Sequence, residues 1–182
     1  MNHRFIVMTI LAAFALLGVV SSKATAASAP TIGIVDVEKI LAEAKAAQSL
    51  QKQIQAKREA FQKEFADKEK QLKSTEKSLI EQQGKLSAED FGKKRKDYEQ
   101  TIVETRKLFQ KRRSSLDDGV SKAMTELRKN IVEATAKVAD GKGYDIVLTR
   151  DSVLITEKGL DITAEVLGQL DSQVSDIKLK VE

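Results

Sequence analysis

Apolar residues recur along two long stretches of the chain at steps of three, four and seven positions, the spacing of a coiled-coil seam. In the first stretch, residues 37–83, they are dense at the start and sparse toward the end. In the second stretch, residues 88–140, the order is reversed. The pattern therefore predicts two long helices that share one seam, with a well-filled base and a thinly filled far end.

The residues that flank these stretches predict where the helices begin and end. Asp36 can cap a single first helix, and Gly84 can close that helix in the left-handed conformation that other residues disfavour. Ser87-Ala88-Glu89-Asp90 resembles a capping box for the second helix, which the glycines just after residue 140 should stop. Because only residues 84–87 separate the two helices, we expect one antiparallel hairpin arm, residues 37–140.

Three short runs rich in β-branched residues lie outside the arm, at 31–35, 144–149 and 153–156. The last two flank Arg150-Asp151-Ser152 and predict a β-hairpin. A final helix is expected after Asp161, and its apolar residues fall on one face. Those residues are Ile162, Val166, Leu167 and Leu170.

The β-rich runs and the final helix predict a small body, residues 27–36 and 141–182. So small a body cannot bury enough apolar surface to anchor a long arm, so the β elements of several subunits should pool into one core. The residues expected in that shared core are Ile32, Ile34, Ile146 and Leu148. The predicted fold class is α+β, mainly α, with a long antiparallel coiled-coil helical hairpin projecting from a small β-rich oligomerisation body.

The first 26 residues have the features of a secretory signal peptide. The segment Met1-Asn2-His3-Arg4 carries positive charge and precedes the apolar run from Phe5 to Val20, and Ala24-Thr25-Ala26 offers a small-x-small cleavage site. The run is shorter than the roughly 20 residues that a spanning helix needs. We therefore expect export and cleavage near Ala26.

The mature chain lacks the side chains that most catalytic and metal sites use. It has no cysteine, and the single histidine, His3, belongs to the predicted signal peptide. Ser-His-Asp triads, thiol enzymes and structural zinc sites are thereby excluded, whereas enzymes built only from carboxylates, Lys, Ser or Tyr are not. The adjacent acids Glu89-Asp90 and Asp117-Asp118 lie on predicted solvated helix, so we expect no enzyme, no catalytic residues, no cofactor and no metal.

Charge is distributed unevenly along the predicted arm. The outer arm, residues 57–113, carries 17 Lys and Arg against 11 Asp and Glu, a net charge of +6. The rest of the mature chain carries 12 against 16, a net charge of −4. Several such arms side by side would attract acidic polypeptides, lipid head groups or nucleic acid, and the attraction would weaken as salt rises.

Residues around the predicted turn are the candidates for contact with a bound polypeptide, because packing partners are fewest there. The apolar candidates are Leu79, Ile80, Leu86 and Phe91, and the basic candidates are Lys93, Lys94, Arg95 and Lys96. For any one of these charges, a solvated helix face is the simpler interpretation. The regional excess of positive charge is the feature that favours a function.

The order of elements resembles the Skp/OmpH family of periplasmic chaperones. The resemblance rests on the strand ending in Ile34-Val35-Asp36, the long charged hairpin, the returning strand at 144–148 and the closing segment 161–167. It implies a periplasmic homotrimer with a small β-barrel body, whose three arms enclose a cavity. In that family the cavity holds unfolded outer-membrane proteins without ATP and prevents their aggregation.

The resemblance also implies links to acidic phospholipid and lipopolysaccharide, although no motif in this chain locates those contacts. Two other functions fit part of the pattern. A nucleic-acid-binding coiled coil would use the basic arm, but export argues against it, and no nucleic acid is expected as a partner. An envelope scaffold or tether would differ from a chaperone in having one folded partner.

Overall fold

The computed structural model describes residues 29–181, so the predicted signal peptide, residues 1–26, lies outside the described residues. The chain is mainly helical, with a long antiparallel hairpin on a small body, and this confirms the predicted fold class. In chain order, the elements are β1 (Ile32–Val35), α1 (Val37–Glu43), α2 (Lys45–Gln82), α3 (Ala88–Lys142), β2 (Ile146–Thr149) and α4 (Thr163–Gln173). Two short 3₁₀ turns, Arg150–Ser152 and Lys158–Leu160, connect β2 to α4.

The hairpin begins and turns at the residues that the sequence indicates. Asp36 Oδ1 accepts a hydrogen bond from the Lys39 N–H at 2.8 Å and so caps α1. Gly84, between α2 and α3, has a φ of +80°. The Ser87 hydroxyl oxygen accepts a hydrogen bond from the Asp90 N–H at 3.1 Å at the start of α3. α3 ends at Lys142, two residues later than expected.

The first helix of the arm is interrupted, so the prediction of one unbroken helix was wrong. Ala44 leaves the helical conformation, with a φ of −60° and a ψ of 137°, and separates α1 from α2. The Lys45 N–H at the start of α2 donates instead to Asp171 Oδ1 of α4, at 2.9 Å. The carboxylate of α4 therefore caps α2 from 126 positions away in sequence, and no local residue pattern announces such a break.

Two strands form the sheet, and they run parallel, with Ile32 opposite Ile146 and Ile34 opposite Leu148. The predicted β-hairpin was wrong. Residues 150–152 form a 3₁₀ turn, and 153–156 form no strand. β-branched residues form a strand only where a partner accepts the ladder hydrogen bonds, and within residues 29–181 no segment pairs with 153–156.

One apolar core joins the body to the base of the arm. α4 presents the expected face: Val166 and Leu170 are buried, Ile162 just before the helix is buried, and Leu167 is half-buried. The largest fully buried side chains of this core come from α1, α2, α3, α4 and the residues on either side of α4. They are Ile40, Leu50, Leu127, Ile162, Val166, Leu170 and Ile177. The core holds the base of the hairpin and the body together as one packed unit.

The rest of the arm is packed thinly, as the seam pattern predicted. None of residues 51–115, all of which the structure describes, is buried. α2 and α3 extend beyond the core for roughly 45 Å at ~1.5 Å per residue from about Ile54 to Gln82. The outer arm is therefore a pair of solvated helices that touch along a narrow line.

Candidate functional site

The tip of the arm is a compact turn whose backbone is held by local hydrogen bonds. The Gln83 N–H donates to the Ile80 carbonyl at 3.2 Å, and the Lys85 N–H donates to the Gln82 carbonyl at 3.0 Å. The Ser87 hydroxyl also donates a hydrogen bond to Asp90 Oδ2 at 2.6 Å. Local hydrogen bonds therefore define the turn, and none of its side chains is fully buried.

The four apolar candidates all lie at this tip, but they differ in exposure. Ile80, in the last turn of α2, is 66% exposed. Leu79, Leu86 and Phe91 are half-buried. Ile80 is therefore the apolar side chain at the tip that is most available to another polypeptide.

The basic candidates occupy the first turns of α3, and all four are exposed. Lys93 pairs with Glu89 at 2.7 Å and Arg95 with Glu99 at 3.5 Å. Lys94 Nζ instead donates across the hairpin to Gln82 Oε1 at 2.6 Å. Lys96 makes no ion pair within the described residues 29–181. Solvated ion pairs of this kind are worth a few tenths of a kcal/mol, so these cations can exchange partners readily.

Midway along the arm, two aromatic contacts hold the helices together. The rings of Phe65 and Phe109 meet edge to face, with centroids 4.6 Å apart and planes at 68°. The Arg112 guanidinium lies 5.6 Å from the centre of the Phe61 ring. The aromatic residues therefore act as seam residues, although Phe65 remains 46% exposed.

The body presents an apolar surface that its own chain does not cover. On β2, Ile146 is 43% exposed and Leu148 is 38% exposed. On β1, by contrast, Ile34 is 2% exposed and lies inside its own subunit, and Ile32 is half-buried. Within residues 29–181, β2 pairs only with β1, so the other edge of β2 is open to a further strand.

Two more apolar residues of the body were not singled out from the sequence as contact candidates. Leu154 is 98% exposed and Ile155 is 87% exposed, in the segment that follows the first 3₁₀ turn. Both residues belong to the apolar run 153–156. Because that run was predicted to form one strand of a β-hairpin within the chain, its residues were not expected to be exposed. Neighbouring exposed apolar side chains of this kind are typical of protein–protein contact surfaces.

A cluster of charged groups ties the strands of the body to α4. Arg150 pairs with Asp161 and lies 3.7 Å from Asp36 Oδ2. Asp161 Oδ1 also accepts a hydrogen bond from the Thr163 N–H at 2.9 Å. Hydrogen bonds from Thr163, and then the Arg150 guanidinium, hold the pKa of Asp161 below its ordinary value.

A second ion pair joins the end of α3 to α4. Lys142 Nζ lies 2.6 Å from Glu165 Oε1. Each partner favours the charged form of the other, so the pKa of Glu165 is lowered and that of Lys142 is raised. The two clusters link the start of α4 to the residues before α1 and at the end of α3, both at the base of the arm.

The described residues offer no chemistry for a metal site or a membrane span. Within 29–181, no three or more His, Cys, Asp or Glu side chains are grouped so as to hold a metal ion. In the same range, no helix has the length and apolar character needed to cross a membrane. The distinctive surfaces are instead the basic outer arm and the apolar face of the body.

Comparison with known proteins places this arrangement in a family. A sequence model of the family described as "Outer membrane protein (OmpH-like)" matches residues 31–170, which include the body strands, the whole arm and most of α4. The chain belongs to the OmpH-like family. This confirms the resemblance that the order of elements indicated.

Curated relatives of this OmpH-like chain include chaperones named Skp. The chaperone protein Skp of Pectobacterium atrosepticum is 26% identical over 156 residues, covering 84% of this chain and 92% of the relative. The chaperone protein Skp of Yersinia enterocolitica is 25% identical over 163 residues, covering 86% and 95%. Both of these relatives carry the name of a chaperone.

A solved structure shares the fold. A crystal structure from Caulobacter crescentus CB15, described as an outer membrane chaperone (OmpH-like), superimposes with a TM-score of 0.77. The match covers 86% of this chain and 92% of the other, at 13% sequence identity. At that identity the likeness supports the fold alone.

Proposed function

We propose that this OmpH-like chain is an ATP-independent periplasmic chaperone that holds unfolded outer-membrane proteins between the arms of a homo-oligomer, a trimer by family resemblance. The observation that carries the proposal is the outer arm. It is long, has a net charge of +6, and buries none of residues 57–113. Such a surface can bind an unfolded chain weakly at many points without fixing its conformation.

The arm suits an extended, mobile client because its attraction is not directional. Surface charges in water attract over about 8 Å at physiological salt, and each contact is weak. Ile80 and the half-buried apolar residues at the tip add short-range contacts for apolar segments of the client. The same basic surface makes acidic phospholipid and lipopolysaccharide further predicted ligands.

Oligomer formation is supported by the body. The open edge of β2, together with exposed Ile146, Leu148, Leu154 and Ile155, is a surface that a second copy of the chain could cover by adding a strand. Pooling these residues would also give the long arms a larger base than one subunit has. We therefore expect Leu154→Ser with Ile155→Ser to shift the mature protein toward monomer, as measured by sedimentation.

The proposal is tested by diluting a urea-denatured outer-membrane β-barrel protein into buffer with the mature chain. We expect suppressed light scattering, a complex of defined mass, and weaker suppression as salt rises. A tip variant in which Lys93, Lys94, Arg95 and Lys96 become Gln should suppress aggregation less. Its matched control changes four exposed basic residues near the arm base, Lys39, Arg128, Lys129 and Lys137, to Gln with the same change in net charge.

Equal loss of activity in the two variants would show that total charge matters and the position of the charges at the tip does not. No suppression by the unaltered protein would overturn the chaperone proposal. Capture of one folded envelope protein, with no effect on unfolded clients, would favour the scaffold or tether. Binding to duplex DNA at physiological salt, tighter than to any unfolded protein, would favour the nucleic-acid alternative.

A further inference from the structure

The segment after α4, residues 174–181, leaves the body and lies along the base of the arm. It has no helix or strand of its own, yet Ile177 is 2% exposed and belongs to the core between body and arm. Val174 and Leu179 are half-buried and pack against the same core. The family match ends at residue 170, so this segment lies outside the part that identifies the family.

Two polar side chains of α2 bind the segment. Gln53 uses both ends of its amide: Nε2 donates to the Ile177 carbonyl at 2.9 Å, and Oε1 accepts from the Leu179 N–H at 2.8 Å. One turn earlier, the Ser49 hydroxyl donates to Asp176 Oδ1 at 2.5 Å. Gln53 thus satisfies two backbone groups of an extended segment, as a neighbouring strand would.

On the other helix, Gly119 of α3 lets the segment approach closely. A Cβ atom at Gly119 would overlap the Lys180 carbonyl oxygen and would lie 3.3 Å from Val181 Cγ2. Gly119 is buried although it sits in the middle of a helix, where glycine costs up to about 1 kcal/mol relative to alanine. The close approach of the segment explains why glycine, and not a residue with a Cβ atom, occupies position 119.

The geometry points to residues 174–181 acting as a strap that clamps α2 and α3 together at the base of the arm. The strap starts at the end of α4, so it also ties both helices to the body. Bending of the arm then begins beyond Gln53 and Gly119 and not at the break at Ala44. The strap would set the angle at which the arm leaves the body and leave the outer arm free to move.

The first test compares the mature protein with a form that ends at Gln173. Amide hydrogen exchange should rise about tenfold in residues 45–56 and 116–127, which lose the strap, and should stay unchanged in residues 79–91 at the tip. Lys178→Ala is the matched control, because Lys178 is exposed and makes no hydrogen bond or ion pair within the described residues. Unchanged exchange at the arm base of the shortened protein would overturn the inference.

The second test uses Gly119→Ala, and its main readout, in the full protein, does not depend on the shortened form folding. In the full protein the added methyl group should displace the strap, so exchange of the Leu179 amide should rise by about tenfold or more. In the form ending at Gln173, the same substitution should leave the arm base as protected as before or more so, because alanine favours a helix. An unchanged Leu179 amide in Gly119→Ala would overturn the strap.

A distance measurement reports the mechanical consequence. Because the chain has no cysteine, Lys85→Cys at the tip and Lys158→Cys in the body would carry the only two spin labels. Labelled chains are diluted with unlabelled chains so that each measured pair lies in one subunit. We expect a broader distribution of tip-to-body distances in Gln53→Ala than in Lys178→Ala, and equal widths would contradict the proposed control of arm angle.

Discussion

The base and the outer part of the arm are built from the same two helices but are held together in different ways. At the base, Leu50 and Leu127 are each 1% exposed and pack into a core that includes the body. In the outer arm, the side-chain contacts between α2 and α3 include an edge-to-face aromatic pair, a cation over a ring and one ion pair between Arg112 and Glu64. Residues with high helix propensity and i,i+4 ion pairs favour each outer helix locally, whereas the pairing of the two helices depends on buried apolar surface. We therefore expect the outer arm to remain helical while the angle between the outer arm and the base varies.

The largest expected effect is a difference in the free energy of unfolding between two leucine substitutions, one in the core at the base and one in the seam of the outer arm. Leu127→Ala should lower the free energy of unfolding by about 3 kcal/mol, because it leaves a cavity in a packed core. Leu72→Ala, at a half-buried position of α2, should cost less than about 1 kcal/mol. Urea unfolding of both variants measures the difference, and similar losses would show that the outer arm is packed as well as the base.

A smaller effect is expected at the aromatic pair of the outer arm. Phe65→Ala and Phe109→Ala should show a coupling of about 1 kcal/mol in a double-mutant cycle, the worth of an edge-to-face pair. The loss should appear as faster amide exchange in residues 57–113, with little change at the base. Val103→Ala is the control, since Val103 is 48% exposed and Phe65 is 46% exposed. An equal effect from the control would rule out a specific role for the pair.

The smallest effect concerns the charged cluster that ties the body to α4. Because the pKa of Asp161 is lower in the folded protein than in the unfolded chain, its carboxylate stabilises the fold above the unfolded value, about 3.9. That stabilisation is lost as pH falls through the folded value. Asp161→Asn should cost less than about 1 kcal/mol at pH 7 after allowance for solvent screening, since Arg150 and Asp36 lie beside it in partly exposed positions.

The pH dependence supplies the check on that prediction. The stability difference between the unaltered protein and Asp161→Asn should shrink as urea unfolding is repeated from pH 7 down to pH 3. Leu72→Ala, which changes no charge, should show a difference that does not depend on pH. A gap that stays constant for Asp161→Asn would mean that the carboxylate charge contributes nothing to the attachment of α4.

Features set by neighbouring residues were predictable from the sequence. The cap at Asp36, the left-handed Gly84 and the cap at Ser87 each depend on a few adjacent positions, and all three were confirmed. The falling density of apolar residues toward the tip likewise predicted the thin packing of the outer arm. The tip candidates could be placed for the same reason, although their role in binding stays a prediction.

Features set by distant residues were not predictable. The break at Ala44 depends on Asp171, and the close approach at Gly119 depends on Lys180, so neither has a local signature. The segment 153–156 has strand-like composition, but a strand also needs a partner that sequence does not supply. In each of these cases, contacts between residues far apart in sequence decided the local structure, and local propensity did not.

The parallel pairing of β1 with β2 has a consequence for the order in which the chain folds. Thr31 and Asp145, whose hydrogen bond stands at the entrance to that pairing, are 114 residues apart. A disordered loop of that length would close slowly and at a large entropic cost. The intervening helices shorten the effective loop, because a helical hairpin forms from contacts between near neighbours and brings its own ends together. Because β1 precedes the arm and β2 follows it, the sheet can form only after the whole arm is available to fold.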